Sequence, residues 1–351
     1  MENTIKLTEF SHGGGCGCKI APSVLEQILK SNISAPNNNK LLVGNSSKDD
    51  AAAYDIGHGM ALISTTDFFM PIVNDPYNFG CIAAANAISD VYAMGGKPVL
   101  AIAILGWPVN KLPPEIAQKV LEGGRAICTQ AGIPLAGGHS IDSTEPIFGL
   151  AVNGLVEIKN LKQNNTAKEG DLLLLTKPIG TGLLSTAQKK GHLTPQHEAL
   201  LIKQLTTLNS IGELLGTMPA VHAMTDVTGF GLLGHCIEMA EGSGLSASLN
   251  YSNIRFMDGV QNYLALKTVP DATSRNWSSY GAKVAFTAGV NVMDAFNLLP
   301  DPQTNGGLLI AIHPDALAEV TSCFKENGLS DFCTPIGSLS SKNDKVVTIN
   351  P

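Results

Sequence analysis

The chain has 351 residues, 44% hydrophobic and only 15% charged, which supplies apolar side chains for real cores and excludes a disordered or coiled-coil protein. At roughly 150 residues per domain, that length corresponds to about two domains. The 23 Lys and Arg against 30 Asp and Glu leave a net charge of −7, the wrong sign for a general binder of nucleic acid or anionic membrane.

Breaker residues set off the first ~45 positions as an appended segment rather than a domain. It holds a glycine cluster, a short amphipathic helix over Pro22–Lys30 and a polar linker at Pro36–Asn39. Strands are then expected at Leu41–Val43, Met60–Thr65, Val99–Leu105 and Gly149–Val156, with helices at Cys81–Ala93 and Pro114–Ala131. The second helix carries proline in its first turn, where no amide partner is lost. After a polar stretch, Lys159–Gly170, come a strand at Leu172–Thr176, one long helix over Gln196–Leu215, a helix from about Leu232 and a strand at Gly306–Ile312. Both blocks mix strands and helices, so the expectation is an α+β protein of two mixed domains. The expected bounds are 1–45 for a flexible glycine-rich segment, 46–157 for the first domain and 158–351 for the second.

Seven cysteines, scattered apart from Cys16 and Cys18, do not form the framework of a small secreted fold. The N-terminus lacks an apolar signal-peptide run, and Val99–Trp107 is far short of the roughly 20 residues that span a bilayer. A cytoplasmic protein without a membrane segment is expected.

His12-Gly-Gly-Gly-Cys-Gly-Cys-Lys19 is the most unusual segment. Four glycines in five positions cost conformational entropy on ordering, so they suggest a mobile flap whose backbone amides meet a ligand. Lys19, three residues after Cys16, favours a thiolate and can hold phosphate. The spacing is not that of a P-loop, and no further cysteine pair completes a zinc site.

Several aspartates stand in apolar surroundings: Asp49 and Asp50 before three alanines, Asp67 in Ser-Thr-Thr-Asp-Phe-Phe, Asp90 in Ile-Ser-Asp-Val-Tyr and Asp226 in Met-Thr-Asp-Val-Thr. Each taken alone reads as an N-cap or turn residue. Taken together, carboxylates converging on Mg²⁺ and a polyphosphate account for all of them, since an unpaired buried carboxylate is costly. Gly229-Phe-Gly-Leu-Leu-Gly234 matches a dinucleotide-binding spacing but lacks the later acidic residue, so it reads as a turn into a helix whose N-terminus faces anions. Gly137-Gly-His-Ser140 reads as a turn that could offer amides and an imidazole to phosphate.

In order along nearly the whole chain, these segments resemble the selenophosphate synthetase (selenide, water dikinase) family. The resemblance runs through Ser11–Lys19, Leu41–Asn45, Ser64–Pro71, Asn86–Pro98, Ala136–Ser140, Met224–His235 and Asp301–Leu308. The Cys-Gly-Cys-Lys loop is the most specific part, and the aspartate motifs are shared with the wider aminoimidazole ribonucleotide synthetase-like ATP enzymes. The resemblance implies a homodimer paired through its N-terminal sheets, with ATP, selenide and water converted to selenophosphate, AMP and phosphate. It implies Cys16 and Lys19 as catalytic residues and Asp50, Asp90 and Asp226 as Mg²⁺ ligands. Lys19, Ser47, Lys48, Asp49, Asp67 and Asp90 fall on ATP-contacting positions, and Gly138, His139 and Ser140 on the stretch lent by the second subunit. K⁺ stands as a candidate second cation. Asn305 departs from the family's usual serine. The rival readings are a kinase or cyclo-ligase of the same architecture, and a non-enzymatic thiol carrier.

Overall fold

Alternation of apolar and polar residues in the first block builds a six-stranded sheet whose inner face is covered by helices. The computed structural model describes residues 5–11, 13–15, 24, 27, 28, 38–44 and 49–351. His12, Cys16, Cys18, Lys19, Ser47 and Lys48, and most of the expected helix over 22–30, lie outside the described residues. The strands are β1 (Leu41–Val43), β2 (Ala52–Gly57), β3 (Met60–Phe69), β4 (Lys97–Trp107), β5 (Leu135–Asp142) and β6 (Ile147–Glu157), in spatial order β1-β2-β3-β6-β4-β5. All neighbours are antiparallel except β4 and β5.

Helix α1 (Pro76–Ala93) starts with Asp75 as N-cap, its carboxylate accepting the Asn78 amide at 2.8 Å, and Pro76 in the first turn. Apart from Tyr77 and Asn78, the whole helix is buried, so it must be covered on more than one side. The sheet lies on one side and helix α2 (Pro114–Gln130) packs beside it. A further side meets Leu183, Leu184, Leu201 and Leu205 from the second half of the chain, making one continuous core.

The second sheet contains β7 (Leu172–Leu175), β8 (Val221–Asp226), β9 (Leu245–Asn250), β10 (Val284–Phe286), β11 (Leu308–Ile312), β12 (Gly337–Ser341) and β13 (Val347–Asn350), in order β10-β13-β9-β12-β7-β11-β8. Every residue of β11 is buried, as expected of a strand covered on both faces. Leu173, Leu175 and Leu309 pack with Leu232 and Ile237 on one side, while Leu174, Ile310 and Ile312 pack with Ile211, Val320 and Phe324 on the other. Its helices are α3 (Thr181–Lys189), α4 (Pro195–Thr206), α5 (Ile211–Gly216), α6 (Gly231–Gly242), α7 (Val260–Ala265), α8 (Asp271–Tyr280), α9 (Val292–Leu298) and α10 (Leu317–Glu326). Among the described residues no helix is long and apolar enough to cross a membrane.

The expected long helix over Gln196–Leu215 is two helices, α4 and α5, broken at Thr207–Ser210. The break has a physical cause. The Thr207 carbonyl accepts from Lys177, and the Asn209 side chain reaches Ser89 and the Gly306 carbonyl, contacts a continuous helix would not make. Gly137–Ser140, expected as a turn, lies within β5.

Helix α3 illustrates how distant residues satisfy a helix start. Gln303 Oε1 accepts the Gly180 and Thr181 amides at 3.0 and 3.1 Å, and Asp301 Oδ2 accepts the Gly182 amide at 3.1 Å. Burial nevertheless pushes the Asp301 carboxyl up to about 7, because these bonds do not replace its lost hydration. Between about pH 4 and pH 7 the folded protein therefore holds a proton that the unfolded chain has released, so stability falls as pH rises. We predict that the wild-type protein loses about 1–3 kcal/mol relative to Asp301→Asn between pH 5 and pH 7, read from urea midpoints. Parallel profiles would show that the carboxyl titrates normally.

A carboxylate cluster between the two sheets as candidate active site

Helix α1 carries three polar residues among its alanines at i, i+3 and i+4: Asn86, Ser89 and Asp90. That spacing places them on one face, where the helix passes the end of β3 and the end of β8. Asn86 Nδ2 donates to Asp67 Oδ2 at 2.6 Å, Ser89 Oγ donates to Asp226 Oδ2 at 2.5 Å, and the Thr65 hydroxyl donates to Asp90 Oδ2. Thr65 and Asp67 continue the inward-facing row of β3 that begins with Ala61 and Ile63. Asp226 is the last residue of β8, paired with Leu308. Asp67, Asp90 and Asp226 are thus neither caps nor turn residues. Asp67 sits within its strand rather than after one.

Asp50 joins them from the loop before β2. Its Oδ1 accepts the Thr225 hydroxyl at 2.8 Å, while its buried Oδ2 has no hydrogen-bond partner. Burial, then the charges of Asp226 and Asp49, hold the Asp50 carboxyl well above the usual range. Burial, then the charges of Asp67, Asp226 and Asp50, do the same to Asp90. Four carboxylates from both halves of the molecule therefore feel one another through a medium that screens poorly. Asp49, next to it, accepts the Asn164 amide on Oδ1 at 2.8 Å.

The donor set consists of hard carboxylate oxygens, one of them buried without a partner, in a field that favours added positive charge. That fits a magnesium ion. Among the described residues no trio of His, Cys, Asp or Glu side chains is already gathered as a metal cage. The carboxylates are held instead by the hydroxyls and amides of Thr65, Asn86, Ser89 and Thr225.

The expected phosphate contacts at Gly138, His139 and Ser140 are not part of this cluster within one chain. They lie on β5, exposed along its length, with β4 and β6 between it and β3. At about 4.8 Å per strand, β5 and β3 are some 14 Å apart.

The N-terminal segment meets the cluster's surroundings just before Cys16. The Gly15 amide donates to the Met70 carbonyl at 3.1 Å, immediately after β3. A Cβ on Gly14 would fall 2.8 Å from the Pro71 carbonyl oxygen, and one on Gly15, at φ 57°, 2.6 Å from the Thr304 hydroxyl. These two glycines allow close approach, and the amide of Gly15 is bonded within the chain rather than free for a ligand. Glycine likewise serves packing in the 229–234 motif, where Gly231 abuts Pro300 and Gly234 abuts Tyr280.

Sequence reasoning missed Lys177, Asn209 and Thr225. Lys177 is buried, donates to the Thr207 and Asn305 carbonyls at 2.7 and 2.9 Å, and is pushed down by burial to about 7. A lysine two residues after the apolar run Leu172–Leu175 was the available signal.

An interdomain carboxylate cluster between two sheet-and-helix halves defines the class, and comparison with known proteins agrees. Residues 48–156 match the AIR synthase related protein N-terminal domain, and residues 168–350 the corresponding C-terminal domain. The selenide, water dikinase of Aeromonas hydrophila is 57% identical over 342 residues, covering 97% of each chain. That of Colwellia psychrerythraea is 55% identical over 346 residues, covering 99% of each. The fold also matches a solved structure of the hydrogenase maturation protein HypE in complex with ATP, at TM-score 0.64 and 18% identity, covering 89% of this chain and 87% of that one. The chain belongs to the selenide, water dikinase family, within the AIR synthase related proteins.

Because burial, then the charges of Asp67, Asp226 and Asp50, penalises the ionised form of Asp90 in the fold, Asp90→Asn should stabilise the ligand-free protein, and by more at higher pH. A raised carboxyl favours the folded state at low pH and opposes it as pH rises, so the gain should shrink as pH falls. Thermal midpoints at pH 5 and 8 test this; an equal or greater loss at both would show that the carboxylate stabilises the fold.

Proposed function

We propose that this chain is an enzyme making selenophosphate from ATP, selenide and water, with release of AMP and phosphate. Selenophosphate would then serve as the selenium donor for selenocysteine and selenouridine formation. The observation that carries this reading is the cluster of Asp50, Asp67, Asp90 and Asp226 between the two sheets, in a chain 57% identical to a selenide, water dikinase. The bonds broken are the γ- and then the β-phosphoryl linkages of ATP. Selenide takes one phosphoryl group and water the other, so AMP remains.

Phosphoryl transfer is mostly positioning and charge neutralisation. Magnesium held by Asp50, Asp90 and Asp226 would neutralise the triphosphate charge; K⁺ is a candidate second cation with no residue assigned. Asp67, oriented by Asn86, lies with Asp49 and Asp90 on the ATP side of the reading, joined by Ser47 and Lys48. Lys19 neutralises phosphate charge and Cys16 handles selenium. Both belong to the catalytic segment 1–45, entering beside Met70 and Thr304 through Gly15. Residues 46–157 form the ATP-binding and dimerisation domain and 158–351 the C-terminal domain. A cytoplasmic location suits a selenide substrate.

A homodimer closes the reading. The outer sheet face exposes Tyr54, Phe68, Ile102 and Ile141, Phe68 by 52% and Ile141 by 59%, and apolar groups gathered on one face favour a covering partner. Pairing two such faces would bring β5 of one subunit, with Gly138, His139 and Ser140, to the ATP of the other.

Two measurements test the proposal. In ³¹P NMR with Mg-ATP under strict reduction, selenide should produce AMP, orthophosphate and a selenium-coupled phosphorus signal. Cys16→Ser should lose selenide-dependent turnover by about 10²-fold or more. ADP without the coupled signal would instead identify a kinase of the same architecture, and no ATP consumption a thiol carrier. Separately, Phe68→Asp with Ile102→Asp should give a monomer by light scattering and lose activity; an active monomer would refute the shared site.

A further inference from the structure

Two hydrogen-bond chains run back from the carboxylates and end on the same turn. In the first, Asn86 donates to Asp67 at 2.6 Å, the Asn305 amide donates to Asn86 Oδ1 at 2.7 Å, and Lys177 Nζ donates to the Asn305 carbonyl at 2.9 Å. In the second, Ser89 donates to Asp226 at 2.5 Å, Asn209 Nδ2 donates to Ser89 Oγ at 2.8 Å, and the same amide group donates to the Gly306 carbonyl at 2.8 Å. Asp67 belongs to the first sheet and Asp226 to the second, so the Asn305–Gly306 turn is tied to one carboxylate from each.

The turn itself is tightly held. Asn305 is fully buried at φ 47°, a left-handed conformation that asparagine tolerates better than most residues. Its Nδ2 donates to the Leu205 and Thr207 carbonyls at 2.8 and 2.9 Å, satisfying the C-terminal end of α4. A Cβ on Gly306 would fall 2.0 Å from the Val227 carbonyl oxygen, and one on Gly307 2.5 Å from the Lys177 amide nitrogen. Lys177 closes the arrangement by bridging the Thr207 and Asn305 carbonyls with one amine. A neutral amine has two N–H donors, enough for both carbonyls, so the clamp holds whether or not the group is charged.

We propose that Lys177 is a positioning residue: by clamping the Asn305 carbonyl against the end of α4, it fixes the separation of Asp67 and Asp226 and thereby the site's affinity for magnesium-bound nucleotide. The inference rests on the reading of the carboxylates as a magnesium-nucleotide site. Lys177 touches no reacting atom in this scheme. Its hydrogen-bonded route to Asp67 passes through Asn305 and Asn86, beside a charge interaction with Asp226; partners bonded directly to a metal ligand change metal affinity by about 10–100-fold, so the lower end of that range is expected here.

The test is calorimetric titration of Mg²⁺ into the full-length protein with a non-hydrolysable ATP analogue, beside steady-state kinetics. Lys177→Met should raise the Mg²⁺ concentration for half-saturation by about tenfold and raise KM for Mg-ATP more than it lowers kcat. Lys177→Gln keeps an N–H₂ group on a shorter stem and should fall between, at roughly threefold; it serves also if the methionine variant fails to fold. Phe324→Leu, in the core between the second sheet and α10, should lower the thermal midpoint with its Mg²⁺ curve within about twofold of wild type. If the Lys177 variants behave like Phe324→Leu, Lys177 only stabilises the fold and the inference is overturned. If the wild-type protein does not bind the magnesium analogue, the site reading fails and takes this inference with it.

Discussion

Repulsion among buried carboxylates is the constraint around which this molecule is arranged. Four aspartates meet here, Asp90 and Asp226 buried and Asp50 and Asp67 half-buried, and two of them, Asp50 and Asp90, are held well above the usual carboxylate range by burial and by their neighbours' charge. Such a cluster lowers the stability of the empty fold, so the surroundings must hold it. A helix buried on nearly every side, α1, supplies the support. Its polar face contacts Asp67 and Asp226 and carries Asp90, while its apolar remainder packs into the core that joins the two halves. The cluster sits at the boundary because carboxylates from two sheets can be set against one another there without either sheet losing its own ladder.

The division of labour follows from this. The first sheet contributes Asp67 within a strand and Thr65 beside it, both in the inward row that elsewhere is apolar. The second contributes Asp226 where β8 stops pairing with β11. Asp50 comes from a loop whose neighbour Asp49 is tied to the Asn164 amide, so the segment between the sheets also registers the loop. Opposite charge entering this space would relieve the mutual repulsion, and a ligand that binds the folded state adds to its stability by mass action.

Much of this was legible in the sequence, for identifiable reasons. Periodic segments such as the helix expected over Pro114–Ala131 and the strand expected over Met60–Thr65 declared themselves because their patterns match the fold's period, although the strand runs on to Phe69. The aspartates stood out because a charge in apolar sequence needs a partner. Their convergence was not visible, since it depends on β3 and α1 meeting β8, which lies more than a hundred residues further along the chain. The break in the helix after Thr206 was equally hidden: the residues that end it, Lys177 and Asn305, lie far away in the chain. Apolar spacing suggested continuation, but Thr206, Thr207, Asn209 and Ser210 are weak helix formers, and tertiary hydrogen bonds fix the break there. The β5 strand was misread because two glycines at φ 141° and 155° look like turn residues. At Gly138 the real requirement is approach, since a Cβ there would fall 2.2 Å from the Ala103 carbonyl oxygen.

The same logic explains the glycines before Cys16. In sequence they read as freedom, whereas at Gly14 and Gly15 they permit contact: one backbone lies against Pro71, the other against Thr304, and the Gly15 amide is bonded to Met70. Met70 follows the strand that holds Asp67, and Thr304 precedes the turn tied to both Asp67 and Asp226. The chain therefore reaches Cys16 registered against elements from both halves of the molecule. Any substitution that adds a side chain at Gly15 must displace Ile72 or Thr304 and, with it, the geometry on which the carboxylates depend.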